Sequence, residues 1–481
     1  MIKKALLIVL IILLVVVVLV VVNTLTLSST QERVHALPAP EINPTALQHF
    51  KGALAFKTIS NSNPALFDSL QFIGFRKYLE STYPNFHAHL QREIVKGYTL
   101  LFTWKGKNPL LKPVVLMAHQ DVVPIEADTE SLWTVDPFAG EVKNDFIWGR
   151  GTTDDKINLI GMLEAAEKLL ATEFQPERTI YFSFGHDEEI GGSGAIAVAN
   201  LLKERRVQAE FVMDEGGIIT KNQIPGITKP VALLGTSEKG YLSLVLSVEQ
   251  TGGHSSMPSP ETSIDILTRA IVRLRAKPFE ARFSESMNGF IESLGPEMPF
   301  TQRMAFANPW LFRGLIIGIY EKSAGGNAMI RTTVAPTIIH AGIKDNVIPT
   351  LSTATLNFRL LPGDKGGDII AQVKEIINDD RVSLVTLPGS LSEASAVTPM
   401  TSVGYQKISA AIKSSYPDLL TSPFLMIGAT DSRYFGEVST NIIKFSPMID
   451  PIGFHGINER VSLESYKTTL WFYEQLLSEL H

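Results

Sequence analysis

What most narrows the folds open to this chain is a recurring pattern: short apolar runs that each break off into a cluster of His, Asp or Glu. The clearest is residues 114–124, VVLMAHQDVVP, where a β-branched apolar run reads as a buried strand and turns polar at His119, Gln120 and Asp121. On an extended segment His119 and Asp121 face the same side, so the carboxylate can hold the imidazole's orientation from behind. Four more clusters follow: GRGTTDDK with Asp154 and Asp155, GHDEE with Glu188 and Glu189, MDEGG with Asp214, and FHGINE with His455. In an open α/β sheet, ligands bind in the crevice beyond the carboxyl ends of the strands, so loops remote in sequence can converge there.

The rest of the pattern agrees with such a sheet. Strands are predicted near 98–104, 114–118, 179–184, 209–213 and 231–234, alternating with helical periodicity, as over 157–172. From residue 240 the texture changes to strand, helix, strands, helix, strand, which predicts an inserted four-stranded α+β unit of ferredoxin-like type. After residue 392 the α/β texture resumes, with strands near 424–427 and 441–445 and a closing helix over 463–479. The expected division is therefore a catalytic domain in two parts, 45–239 and 393–481, interrupted by a lid or dimerisation domain over 240–392.

Residues 5–22 are a separate object. This unbroken apolar run spans ~27 Å as a helix, close to the hydrocarbon thickness of a bilayer, and follows Lys3 and Lys4. With no clean small-residue cleavage site after it, the reading is an uncleaved signal anchor; cleavage would leave a secreted protein. The lysines place the N-terminus in the cytoplasm and the catalytic part on the other side, periplasmic, extracellular or lumenal. Residues 23–44, with Pro38, Pro40 and Pro44, read as a tether. A net charge of -6 with both signs interspersed argues against a nucleic-acid surface and for a small-molecule or peptide substrate. With no cysteine, any metal must be held by His and carboxylates.

Two histidines and three carboxylates suffice for a pair of divalent cations with one carboxylate between them. In the Glu188–Glu189 pair one acid can bind metal while the other remains free to accept a proton. The histidines at 35, 49, 87, 89, 186, 340 and 481 read as structural, His186 being closest to the chemistry. The glycines after Glu189 lack the order of a phosphate loop, so no nucleotide is assigned.

Together HQDVVP, GRGTTDDK, GHDEEIGG, MDEGG, TGGHSSMP, NFRLLPG and FHGINE resemble the cocatalytic zinc peptidases of the aminoacylase and carboxypeptidase S family. The resemblance runs from about residue 45 to the C-terminus and is closest to the branch containing the secreted N-fatty-acyl-amino-acid synthase/hydrolase. It implies two zinc ions, with Co2+ or Mn2+ as substitutes, and Asp154 between them. His119 and Asp214 would complete one site, Glu189 and His455 the other. It further implies Glu188 as general base, Asp121 behind His119, a cis bond between Asp154 and Asp155, and His254 as a lid histidine that hydrogen-bonds the developing oxyanion. In dimeric members that histidine comes from the partner subunit, so a homodimer through the lid is part of the expectation. Arg359 and Asn346 would grip the substrate's carboxylate, with Gly428, Thr430 and Asp431 lining the same pocket.

The reaction implied is cleavage, or reversible formation, of the amide between an acyl group and an amino acid with a free carboxylate. Its rivals are a carboxypeptidase acting on short peptides and an inactive binding protein for N-acyl amino acids. The apolar, aromatic stretch 285–325 reads as packing within the lid or a dimer surface, with an acyl-chain channel as the alternative.

Overall fold

The computed structural model describes residues 2–32, 34, 40–416 and 418–480. His35 and His481, Pro38 and part of the expected tether lie outside the described residues.

The apolar runs become one eight-stranded sheet. Its strands are β1 (Gln91–Val95), β2 (Thr99–Trp104), β3 (Val114–His119), β4 (Ile180–Gly185), β5 (Phe211–Thr220) and β6 (Val231–Glu238), joined after a long excursion by β11 (Leu420–Met426) and β12 (Ile442–Ile449). In space the order is β1-β2-β4-β3-β5-β12-β6-β11. The middle run β4-β3-β5-β12 is parallel, while β1 and β2 extend one edge antiparallel and β6 meets β12 antiparallel, so the sheet is mixed. β3 is buried along its whole length, as a central strand covered on both faces must be. Lys156–Leu170 and Leu463–Ser478 pack together on one face over Phe184, Met213 and Phe445, and Ser193–Glu204 covers the other over Val115, Met117 and Val212.

The excursion carries a second, four-stranded antiparallel sheet: β7 (Gly240–Glu249), β8 (Thr333–Ala341), β9 (Leu351–Leu360) and β10 (Val382–Thr386), in the order β8-β9-β7-β10. The helices Ser263–Ala276 and Gly366–Ile377 pack on it and form a separate core with Leu244, Leu356 and Phe358. The α+β pattern read from the sequence is thus present. The stretch read as lid packing lies elsewhere. Glu285–Leu294 packs against β11, and Met287, Phe290 and Leu294 share a core with Ile227, Val231 and Leu420 of the large sheet's side.

Ile2–Thr26 is a single helix, long and apolar enough to cross a membrane. Its extension beyond residue 22 differs from a loose tether. Asn308 donates to Val20 O and Thr24 Oγ1 (3.2 and 3.3 Å), and Gln31 exchanges hydrogen bonds with the Thr421 backbone (2.9 and 3.0 Å). Polar side chains of the folded body hold this segment, which its own composition does not reveal.

Candidate metal centre

His119 is the last residue of β3, and its ring is aimed from both nitrogens. Nδ1 lies 3.0 Å from Asp121 O and 3.3 Å from Asp121 Oδ1, while Nε2 lies 2.7 Å from Asp154 Oδ1. The other oxygen, Asp154 Oδ2, meets His455 Nε2 at 2.6 Å, and His455 Nε2 is also 3.3 Å from Glu189 Oε1. One carboxylate therefore stands between two imidazoles, and the Asp154–Asp155 peptide bond beside it is cis. Asp121, fully buried, accepts from the backbone N–H groups of both Glu188 and Glu189 (3.2 and 3.1 Å), which ties the GHDEE loop to the end of β3.

For the fifth predicted ligand, the structure brings its neighbour closer to His119. Asp214 Oδ2 accepts from Ser432 N at 2.8 Å, and Asp214 pairs across the ladder with Lys444. Its neighbour Glu215 instead brings Oε1 to 3.5 Å from His119 Nε2. Neighbouring residues of a strand face opposite sides, so one acid of the pair can meet His119 and the other cannot. Nothing in the dipeptide itself says which. The donor atoms of His119, Asp154 and Glu189, and of His119, Asp155 and Glu215, lie within 4.8 Å of one another, two groups of metal-ligand type sharing His119.

Burial and mutual repulsion perturb the site's acids. Burial, with Asp431, Asp121 and Glu189 nearby and His119 opposing, pushes the Glu188 carboxyl well above the usual range. Burial likewise raises Glu215, Asp155 and Asp431, each reinforced by neighbouring acids. Burial would raise Asp154 too, but its bonds to His119 and His455 outweigh it and hold this carboxyl low. The same bonds to Asp154 and Glu189 lift His455 to about 10. So many buried acids against two imidazoles is a donor set that suits divalent cations, and the residues present fit a metal site.

A further residue was missed by motif reading. Glu459, fully buried, accepts from Gly151 N, Thr153 N and Thr153 Oγ1 (3.0, 2.8 and 2.9 Å) and pairs with Arg150 at 2.6 Å. It therefore holds the loop that presents Asp154. Its signal was present in FHGINE, but a Glu four residues past a histidine has no local mark of a remote partner. Glu459→Ala, by leaving Arg150 buried without its partner, is expected to destabilise the fold by about 3–5 kcal/mol. Denaturant unfolding of metal-free protein measures this; a loss under about 1 kcal/mol would mean that Arg150 finds other partners.

The remaining predicted residues fall into two groups. Asp431 is buried beside the GHDEE loop, where a Cβ at Gly192 would collide with its carboxylate, and its Oδ1 has no hydrogen-bond partner. Thr430 donates its backbone N–H to Glu238 Oε2 (3.3 Å), Gly428 is exposed, and Arg359 stacks on Tyr241 at 4.8 Å within electrostatic reach of Glu238 and Arg433. His254 lies on a separate two-stranded ladder opposite Val347, and Asn346, just before that strand, accepts from Ser255 N at 3.1 Å. His254 is exposed and bonds Ser256. Among the described residues, no hydrogen bond or ion pair joins His254 or Asn346 to the cluster around Asp154. His186 sits aside, bonded to Thr99 Oγ1 at 2.6 Å and set among Phe67, Phe72 and Tyr98.

Comparison with known proteins matches this arrangement to a family. Residues 115–479 match the model of peptidase family M20/M25/M40. The chain is 40% identical over 437 residues to the N-fatty-acyl-amino acid synthase/hydrolase PM20D1 of Homo sapiens, covering 89% of this chain and 86% of that protein. It is 38% identical over 472 residues to a probable carboxypeptidase S-like 2 of Dictyostelium discoideum, covering 95% and 90%. Among solved structures, the M20 family metallo-carboxypeptidase Sso-CP2 of Sulfolobus solfataricus superposes with a TM-score of 0.64 at 17% identity, covering 91% of this chain and 99% of that one. The chain belongs to peptidase family M20/M25/M40 and is a metal-dependent hydrolase.

Proposed function

We propose that this chain hydrolyses the amide bond between an acyl group and the nitrogen of an amino acid with a free carboxylate, N-(fatty-)acyl amino acids being the substrate class. The observation that carries the reading is Asp154 gripped from both sides by His119 and His455, with Glu188 beside them in a site of excess acid. The likeness to the synthase/hydrolase supports the substrate class.

Two zinc ions, or Co2+ or Mn2+ in their place, would be held with Asp154 between them, His119 and Glu215 on one side and Glu189 and His455 on the other. Metal bound there supplies Lewis-acid polarisation of the scissile carbonyl and makes water more acidic. Glu188 takes the proton from the attacking water and returns it to the leaving amine nitrogen. Asp121 holds the His119 ring and the Glu188–Glu189 backbone. Arg359, with its planar fork of donors, grips the free carboxylate, and Asn346, Gly428, Thr430 and Asp431 complete that pocket. His254, exposed on the two-stranded ladder, hydrogen-bonds the carbonyl oxygen as it becomes negative, from its own chain or from a second copy. The same residues catalyse amide formation when fatty acid and amino acid are in excess. The N-terminal helix anchors the enzyme with its catalytic part on the non-cytoplasmic side.

A carboxypeptidase acting on short peptides is the second reading, supported by the likeness to carboxypeptidase S-like proteins. Release of free amino acid from matched panels of N-acyl amino acids and dipeptides, with a chelator and zinc add-back, separates the two. Chelation is expected to abolish turnover and zinc to restore it, with kcat/KM higher on long-chain N-acyl amino acids. A preference for dipeptides would select the second reading, and tight binding of N-acyl amino acids without metal-dependent turnover would leave a binding protein. Arg359→Lys is expected to raise KM about tenfold or more for carboxylate-bearing substrates with a smaller effect on kcat. An unchanged KM would remove Arg359 from the carboxylate site.

A further inference from the structure

Arg313 apart, the helix Pro309–Tyr320 carries no charge and is mostly apolar, yet only Ile316 is buried. Leu311, Leu315 and Ile319 recur every fourth residue, so they form one stripe of the helix surface. They are 47, 58 and 57% exposed, and Trp310 of the same helix and Phe300 of the neighbouring helix Phe300–Ala307 are 57 and 55% exposed. Large apolar side chains left exposed together on one helix and its neighbour mark a contact surface.

Its position says what the contact is. Asn308, the residue before this helix, is fully buried, and its side chain bonds Val20 O, Thr24 Oγ1 and Asn23 Nδ2 of the N-terminal helix. Phe300–Ala307 packs against that same helix, and Pro309–Tyr320 leans on Phe300–Ala307. The apolar run of the N-terminal helix ends at Val22. The clamp thus pins the start of Pro309–Tyr320 at the depth where a spanning helix passes from hydrocarbon to head groups, where tryptophan is favoured.

We propose that Phe300, Trp310, Leu311, Leu315 and Ile319 form a second membrane contact, seated in the head-group boundary of the bilayer that the N-terminal helix spans. The inference rests on the reading of Ile2–Thr26 as a membrane anchor and is independent of the substrate assignment. With the anchor alone, the folded body would hang from one helix; with this surface, its orientation to the bilayer is set.

The full chain has no native cysteine, so single Leu315→Cys, Val15→Cys and Lys374→Cys variants can each carry one fluorescent label. They are reconstituted in phosphatidylcholine–phosphatidylglycerol nanodiscs containing doxyl lipids, and retained hydrolysis shows that each is folded. The expected result is at least twofold quenching at Leu315 by lipids labelled near the head group, quenching at Val15 by lipids labelled deep in the acyl chain, and none at Lys374. Quenching at Val15 without quenching at Leu315 would overturn the surface while leaving the anchor. Quenching at neither would remove both. Disulfide cross-linking of Leu315→Cys between copies, with no quenching, would assign the face to a second copy and overturn the proposal.

Discussion

Glu188→Gln is expected to lower kcat about 10²–10⁴-fold on every substrate the enzyme accepts, with metal content unchanged. The carboxamide keeps the shape and the backbone bond from Glu188 N to Asp121 but cannot accept a proton. Burial and the acids at 431, 121 and 189 push the Glu188 carboxyl above its ordinary range, which makes its carboxylate a stronger proton acceptor. Steady-state kinetics on an N-acyl amino acid, with metal analysis of the same preparation, measures both quantities. A residual kcat within tenfold of the parent would place the base elsewhere, and Glu189 or Asp431 would be examined next.

The second large effect separates two neighbours. Glu215→Gln is expected to weaken metal binding at one site by at least 10–100-fold, the loss typical even of groups that only support a ligand. Activity should fall with it and recover in part at high zinc. Asp214→Asn keeps an oxygen for Ser432 N and is expected to cost stability more than metal affinity, because Lys444, fully buried and 3.8 Å from Glu238 Oε2, loses a neighbouring charge. Zinc titration against a chromophoric chelator ranks the two variants. If Asp214→Asn lost the metal and Glu215→Gln kept it, the side chains of this dipeptide would exchange roles on metal binding, and the assignment would return to Asp214.

The contrast between these acids shows where reading the chain stops. His119, Asp154, Glu189 and His455 could be listed from motifs because each ends a strand or lies in a loop whose polarity interrupts an apolar run. Their meeting around one carboxylate is a property of the sheet order β4-β3-β5-β12, which joins loops as remote as those of Asp154 and His455, 301 residues apart. Glu215 was overlooked because both residues of an Asp–Glu pair are equally polar, and the choice depends on which face of β5 looks toward β3.

Local composition was enough for features whose energetics are local. An unbroken apolar run must leave water whatever surrounds it, β-branched runs favour extended buried strands, and a change of periodicity marks a second folding unit. Long-range partners decided the rest. Glu459 reaches the loop at 150–153 across more than 300 residues, and Asn308 meets the end of the N-terminal helix. Residues 285–294, apolar enough for either core, pack on the large sheet because β11 offers them a matching surface. Hydrophobicity dictates that such a segment be buried but is non-directional; the direction comes from shape and hydrogen-bond partners that exist only once the chain has folded.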